Sequence, residues 1–519
     1  MFAGALLLFS LRLTVFEARQ TDISALRIMA GDVPYRDFWT MYAPGSFLVL
    51  GTLYRLLGAQ LVVSNALGIL TSAAGVATLF TVARRVAPPA VAASVAAIVA
   101  AVFFSTGYAD GFTSFPPAFL LVTLAAHLAA GAADRDTASW AVRPGLLLGA
   151  AALFKHDIAA YATLSLAVSL MLVRRRQGVR AALAPAFVLA ASAAALPLLA
   201  MAVLVRAGAG PDAWSDLVRF PLGDYRFVRR EYFPLLPHLR DTLVNDVRDL
   251  RGWAVCNLPT LAALAGLLAL RSRRDHMARG SALIVTFATL LFACHWWAAH
   301  IQINTNGISL AAWGGVVGAA GLGGLPSSTS RRAFATLVVT GWAVLMLAEP
   351  LYREASGLAA GRTWVGLPHL RGIRASAADA RALRDLASAM EDAGPRSARL
   401  LFASERNDLV IYAQSVPFWL TDRRPATRHS ELHPGVTDIE VTQRQMLDGL
   451  STRPLPVVVR EHRFDDHTLD QMKVEIQPHV PVGSRLLDAW INEHFVAGEL
   501  YGAYEVMAPR ASVVLRGLP

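Results

Sequence analysis

Charge is scarce in this chain. Only 17% of its 519 residues are Asp, Glu, Lys or Arg, and 55% are hydrophobic. A soluble globular chain carries about 25% charged and about 45–50% apolar residues. The mean hydropathy of +0.43 points the same way. That balance excludes an ordinary cytosolic enzyme and a disordered chain. Cysteine is nearly absent: Cys256 and Cys294 lie in or beside apolar runs, without the spacing of a metal site or a redox pair, which excludes a disulfide scaffold. Lysine occurs only at Lys155 and Lys473, so almost every cation is arginine, as a high-GC genome would favour. No GxGxxG or Walker-type loop is present, which argues against a nucleotide site.

Long apolar runs are what the chain has instead. A hydrocarbon core about 30 Å thick takes roughly 20 helical residues to cross. Runs near 2–16, 62–83, 89–106, 116–131, 144–154, 156–172, 181–205, 253–270, 281–299, 307–324 and 333–349 predict about eleven transmembrane helices. The first run carries Arg12, whose side chain could snorkel to the interface, and no small-residue cleavage site follows it. The runs 144–154 and 156–172 meet at Lys155-His156-Asp157.

Arginine placement sets the expected orientation. Arg84-Arg85, Arg174-Arg175-Arg176, Arg271 with Arg273-Arg274, and Arg331-Arg332 all fall on one side of this count, which should be cytoplasmic. The net charge of +10 therefore reads as a positive-inside signature rather than a nucleic-acid surface, and no nucleic-acid partner is expected. Residues 17–60, 107–115, 206–252, 300–306 and everything after 350 then lie outside the cytoplasm. After Glu349-Pro350 the composition becomes polar and mixed. Ser376–Asp392 reads as a helix with Ser376 as N-cap, and Asp438–Leu450 and Leu486–Phe495 read as helices too. Ala398–Ala403, Leu409–Ala413 and Leu455–Arg460 read as strands. The expected architecture is an α-helical polytopic membrane module over 1–350 and a soluble, periplasmic α/β domain over 351–519.

Several residues could carry chemistry, and each has a plainer reading beside it. Asp22 to Met29 predicts an amphipathic helix lying on the membrane surface, ended by Gly31 and Pro34. Acids at Glu17, Asp22, Asp32 and Asp37 stand among aromatic residues, either as proton-abstracting candidates or as solvated acids in an aromatic belt. Lys155 is an intramembrane cation, a functional candidate by default, or else one half of a buried pair with Asp157. His156 could join either arrangement. Arg219, Arg226, Arg229 and Arg230 crowd one external loop, suited to phosphate oxygens or to anionic headgroups. In Cys294-His295-Trp296-Trp297-Ala298-Ala299-His300 the tryptophans serve as interface anchors or as a carbohydrate platform. His295 and His300 are five apart rather than four, so no zinc site is predicted. Asp110, between Tyr108 and Phe112, could support an acceptor or a metal ion.

The stretch "GDVPYRDFWTMYAPG" at 31–45, with an acid just after the first apolar run, resembles the first external loop of GT-C glycosyltransferases. These are polytopic enzymes that use polyprenyl-phosphate-linked sugars, and protein O-mannosyltransferases and aminoarabinose transferases are among them. The resemblance extends to "GYADGF" at 107–112, "ALFKHD" at 152–157, "FWLTDRRPATR" at 418–428, "HPGVT" at 433–437 and "GSRLLDAWI" at 483–491. It implies a GT-C-like fold and transfer of a hexosyl or pentosyl group, with inversion, to a lipid, glycan or protein acceptor on the periplasmic side of the bacterial cytoplasmic membrane. The implied catalytic acid stands roughly fourteen residues before Gly31, at Glu17. Ala18 follows where a second acid is usual, and Asp22 is the nearest aspartate. The departure leaves open which of the two is the base, with Asp37 a further candidate. Asp110, Lys155, His156, Arg219, Arg226, Arg229, Trp296 and His300 are the implied substrate-binding residues. No cofactor is expected, and the resemblance leaves a divalent metal (Mg or Mn) open.

Two other classes fit parts of this pattern. A transporter or flippase of lipid-linked saccharides would use the same lipid, lysine and arginines, but it usually shows two repeated halves, and no such repeat is visible here. A non-catalytic membrane scaffold fits the missing second acid at Ala18.

Overall fold

The computed structural model describes residues 1–14, 20–133, 135, 138–223, 249–270, 277–298, 303–323, 337, 340–342, 344, 346–348, 351–352, 354–357, 361–409, 416–430, 432–433, 435–451, 454–462, 468 and 482–510; the side chains of 20, 249–256 and 303–305 are outside this description. In chain order the main helices are α1 (Phe2–Ser10), α2 (Gln20–Met29), α3 (Gly45–Leu57), α4 (Leu61–Ala83), α5 (Pro89–Ser105), α6 (Phe115–Gly131), α7 (Val142–Ala152), α8 (His156–Arg174) and α9 (Val179–Arg206). They continue with α10 (Asp249–Leu270), α11 (Arg279–Ala298) and α12 (Ile303–Gly323). Strands β1 (Arg362–Trp364) and β2 (Arg374–Ser376) follow, then α13 (Ala377–Asp392), β3 (Leu400–Ser404), α14 (Glu440–Ser451), β4 (Val457–Glu461), α15 (Leu486–His494), β5 (Phe495–Tyr501) and β6 (Tyr504–Pro509).

Among the described residues, four helices are long and apolar enough to cross a membrane: Leu61–Ala83, His156–Gln177, Val179–Arg206 and Arg279–Ala298. Five shorter apolar helices accompany them. The long helices leave large side chains such as Leu183, Phe187, Leu198 and Leu199 exposed along α9, as a lipid-facing surface requires. The chain is a multi-pass membrane protein. Nine of the predicted runs, from 62–83 to 307–324, are helices here, whereas α1 stops at Ser10 and most of 333–349 lies outside the described residues. The predicted break at Lys155 is present: α7 ends at Ala152, and Lys155 is extended (φ −146°, ψ 97°) before α8 begins.

Two compact units divide the chain. The first comprises 1–13, 65–202 and 231–357. Its core is built from small and aromatic side chains, among them Val99, Phe103, Phe115, Phe119, Phe287 and Trp313. Helices α10 and α12 pack closely through glycines, and a Cβ on Gly321 would meet Gly266 Cα at 2.5 Å. Small residues of this kind let backbones approach where burial from water supplies no drive.

The second unit comprises 14–64, 203–230 and 358–519, so the segment after α1 belongs with the carboxy-terminal part. A four-stranded sheet in the order β3-β4-β6-β5 forms its centre, with β3 and β4 parallel and the other pairs antiparallel. Val458 pairs with Met507 and Leu401 with Val458, and both faces of β4 are buried. One face packs on Met446 and Leu450 of α14 and on Leu487 and Ile491 of α15. Ser376 caps α13 by accepting from the Asp379 amide at 3.0 Å, as its sequence position predicts. Helix α2 also forms where predicted, but it does not lie free on a surface. Ile23, Ala25 and Ile28 are buried together with Asp22 and Arg27. The helix packs on α3 at Gly51, where a Cβ would meet Ala25 O at 2.9 Å.

Candidate functional site

The first group of candidates lies in the second unit, where α2 ends. Gly31 (φ 96°) stops the helix, and Tyr35, fully buried, holds a left-handed conformation (φ 67°) that a bulky residue adopts only under tertiary restraint. The restraint is visible: Tyr35 Oη donates to Tyr42 O at 2.9 Å. Its carbonyl accepts from Arg428, with Nε at 3.1 Å and Nη2 also in contact. Arg27, 7% exposed, fixes the same turn. It donates to Asp32 Oδ2 at 2.8 Å, to Thr427 O at 3.1 Å and to Asp37 O at 2.6 Å. Burial lowers its pKa, which Asp32 opposes.

Asp37 takes a two-pronged pair from Arg36, at 2.9 and 2.8 Å, and accepts the Val33 amide at 2.7 Å. The hydrogen bonds from Arg36 hold its carboxyl below the usual carboxylate range against the cost of partial burial. Asp22 lies inside the α2–α3 contact, 1% exposed, and accepts from Tyr54 Oη at 3.1 Å. Glu17 is outside the described residues, as are Arg226, Arg229, Arg230 and His300. Arg219 is exposed at the end of a π-helical turn, Ser215–Arg219.

Residues of 423–429 that the sequence reading left without a role converge on this turn. Arg428 reaches Asp212 and Asp216 at 3.3 Å each. Burial pushes the Asp216 carboxyl up to about 7, with Asp212 adding to the rise and Arg428 opposing it. Next to it His429 is pushed down to about 3, first by burial and then by the charges of Arg428 and Arg27. His429 stacks on Trp39, with ring centroids 6.3 Å apart. Arg27, Asp32, Arg36, Asp37, Arg399, Arg424 and Arg428 face one cavity of about 430 Å³. The signal available beforehand was the spacing of Arg423, Arg424 and Arg428 around Pro425, read there only as a family segment.

The second group lies in the first unit. Asp110 is fully buried and paired with Arg12, whose Nε donates to Oδ1 at 2.9 Å; Arg12 Nη1 also reaches Glu354 at 3.0 Å. Arg12 is thus held by two carboxylates rather than snorkelling to an interface. Lys155 Nζ lies 3.2 Å from Asp157 Oδ2, and among the described residues Asp157 Oδ1 has no hydrogen-bond partner. His156 is half-buried beside them. His295 is fully buried, with Nδ1 2.8 Å from Asn306 Oδ1 and its ring edge-on to Tyr161 at 5.7 Å. Tyr161, whose ring meets His295, follows Asp157 by four residues, about one turn of α8. Trp296, 38% exposed, follows in the same helix. Among the described residues no group of three His, Cys, Asp or Glu side chains is arranged to hold a metal ion.

The fold is that of the GT-C glycosyltransferases, a class of polytopic membrane proteins. The chain is similar to ArnT from Cupriavidus metallidurans in two crystal structures. The one bound to undecaprenyl phosphate gives a TM-score of 0.57 at 13% identity, covering 99% of this chain and 98% of ArnT. The apo structure gives 0.57 at 14% identity, covering 98% and 97%. No protein-family profile matches the sequence. No curated protein sequence matches it either.

Proposed function

We propose that the chain is an integral-membrane glycosyltransferase that moves a sugar from a polyprenyl-phosphate carrier to an acceptor outside the cytoplasm, with inversion at the anomeric carbon. The observation that carries this reading is a set of ionisable groups, Lys155 paired with Asp157 and Tyr161 packed on His295, set among apolar helices of an ArnT-like fold. Ionisable groups inside a membrane are costly, and they persist where they bind or relay charge. A polyprenyl phosphate brings such a charge, and the ArnT crystal with undecaprenyl phosphate supports that class of ligand here.

In the reaction the acceptor oxygen or nitrogen forms a bond to the anomeric carbon as the bond from that carbon to the phosphate oxygen breaks. The electron pair leaves with the polyprenyl phosphate, whose charge Lys155 would hold, with Arg219, Arg226 and Arg229 as further candidates. The acceptor proton passes to a carboxylate, for which Glu17 is the first candidate and Asp22 or Asp37 the next. General-base catalysis of this kind contributes about 10²–10⁴-fold. Whether a divalent ion such as Mg or Mn assists is read in the same assay. Purified chain in detergent is incubated with undecaprenyl-phosphate-linked hexose or pentose and a cell-envelope extract, with and without chelator. The product's anomeric configuration is then read by NMR. Inverted product supports the proposal; retained configuration excludes the single-displacement step.

A further inference from the structure

The cavity at the end of α2 holds more positive than negative charge. Five guanidinium groups line it, those of Arg27, Arg36, Arg399, Arg424 and Arg428, against the carboxylates of Asp32 and Asp37. Arg27 and Arg399 are near enough for their like charges to oppose each other. His429, on the same wall, is held neutral by burial and by these arginines, down to about 3. Exposure is graded around the cavity: Arg27 is buried at 7%, Arg428 keeps 30%, and Arg36 and Arg424 keep 46% and 55%. Four of the five hold their orientation by backbone carbonyls as well as by carboxylates: Arg27 through Thr427 O, Arg36 through Ala207 O at 3.0 Å, Arg424 through Ala30 O at 2.7 Å and Arg428 through Tyr35 O. Guanidinium groups fixed in this way present their charge and remaining N–H donors to a phosphate without further ordering.

Size and lining narrow the ligand. A volume of about 430 Å³ takes a phosphate with a sugar-sized group attached. Met446 and Pro425 are the large apolar members of the lining, so no wall suits an isoprenoid tail. The apolar cavity of about 300 Å³ in the first unit, lined by residues such as Val95, Ile98, Leu322 and Trp342, has the opposite character.

We propose that the α2 cavity binds the phosphate of a hydrophilic ligand, a sugar phosphate or a phosphorylated glycan, through the positive charge of Arg27, Arg36, Arg399 and Arg424, which exceeds that of Asp32 and Asp37. The site is one of binding, and it stands whether or not the chain transfers sugar. The test uses the full chain in detergent, titrated by calorimetry with glucose 1-phosphate, inorganic phosphate, glucose and farnesyl phosphate. Glucose 1-phosphate should bind saturably and more tightly than inorganic phosphate, and glucose should not bind. In the Arg36→Gln/Arg424→Gln double variant the Kd for glucose 1-phosphate should rise at least tenfold, with farnesyl phosphate unaffected. Arg36→Lys/Arg424→Lys should recover part of the loss, since charge is kept and the fork is not. Both residues are exposed, and gel filtration confirms folding; if the double variant aggregates, Arg424→Gln alone should raise the Kd severalfold. Absence of saturable binding by the wild type, or an unchanged Kd in the variants, would overturn the proposal. Equal affinity for inorganic phosphate would overturn the sugar-borne source. Farnesyl phosphate binding that depends on Arg36 and Arg424 would show a lipid phosphate instead.

Discussion

Replacing Lys155 with methionine separates a structural lysine from one that holds phosphate. Lys155 is 9% exposed, and its ammonium is 3.2 Å from Asp157 Oδ2. The other carboxylate oxygen, Oδ1, is buried and has no hydrogen-bond partner among the described residues. Lys155→Met therefore leaves a carboxylate with neither oxygen compensated by a cation. Stranding one half of a fully buried pair costs about 3–5 kcal/mol. Asp157 keeps 37% of its side-chain surface, which brings the expected loss down to about 2–3 kcal/mol, or roughly 30–150-fold in the folding equilibrium. Membrane proteins of this size seldom unfold reversibly, so the assay is the monodisperse fraction after a timed heat step in detergent, compared with wild type. The single variant should lose most of that fraction at temperatures the wild type survives. Lys155→Met/Asp157→Asn should regain it, because no unpaired charge remains. Transfer then decides the functional half: the double variant folds but stays slow if Lys155 holds the donor phosphate. A single variant as heat-stable as wild type would refute the stranded-carboxylate argument, and a double variant with normal turnover would remove Lys155 from phosphate binding.

Asp216, with its pKa raised from 3.8 to about 7, favours the protonated state when folded, so it stabilises fully below about pH 4 and loses that contribution as pH rises to 7. Asp216→Asn should flatten the fall in melting temperature between pH 5 and 8 and exceed wild type at pH 8; an unchanged profile would count against it. His429 acts oppositely, because its pKa is lowered from 6.5 to about 3 and stability is lost as pH falls from about 6.5 toward 3. His429→Gln should remove that acid loss, measured by the same melts at pH 7 and 4.5. A cysteine at position 440, whose native Glu440 side chain is 59% exposed, should react with a membrane-impermeant maleimide in intact cells. Labelling only after permeabilisation would reverse the orientation drawn from the arginine clusters.

Periodicity and composition made much of this fold legible. A Val-Val-Val run with turns either side predicts β4, and Ser376 three residues before Asp379 predicts the start of α13. Helix α3 and strands β1, β2, β5 and β6 escaped. The α3 helix, Gly45–Leu57, is shorter than a span and follows a loop rich in aromatic residues, so it was read as part of that loop. The β5–β6 hairpin turns on Gly502 (φ 64°) and Ala503, with Tyr501 opposite Tyr504, a two-residue turn that Gly at its first position permits. Its strands alternate poorly: Val496 and Leu500 are exposed. Of the candidate site, Lys155 was legible because a lone lysine between two apolar runs stands out in the sequence. The arginine cavity was not, since it joins Arg27 to Arg399 and Arg428 from almost 400 residues away, and no local spacing encodes that meeting. Helix α2 was found but its packing on α3 was not, because amphipathicity gives a buried face without saying what covers it.

The central claim is sugar transfer from a polyprenyl phosphate. Free undecaprenyl phosphate released from an undecaprenyl-phosphate-linked sugar, quantified by mass spectrometry with purified chain and an envelope extract, measures it most directly. The account predicts time-dependent release by the wild type that drops about 10²–10⁴-fold in Glu17→Gln, a variant that keeps the side chain's shape and removes its basicity. Release equal to that of heat-killed protein across hexose and pentose donors would contradict the claim. Full release by Glu17→Gln, Asp22→Asn and Asp37→Asn alike would leave the chemistry standing and remove all three acids as its base.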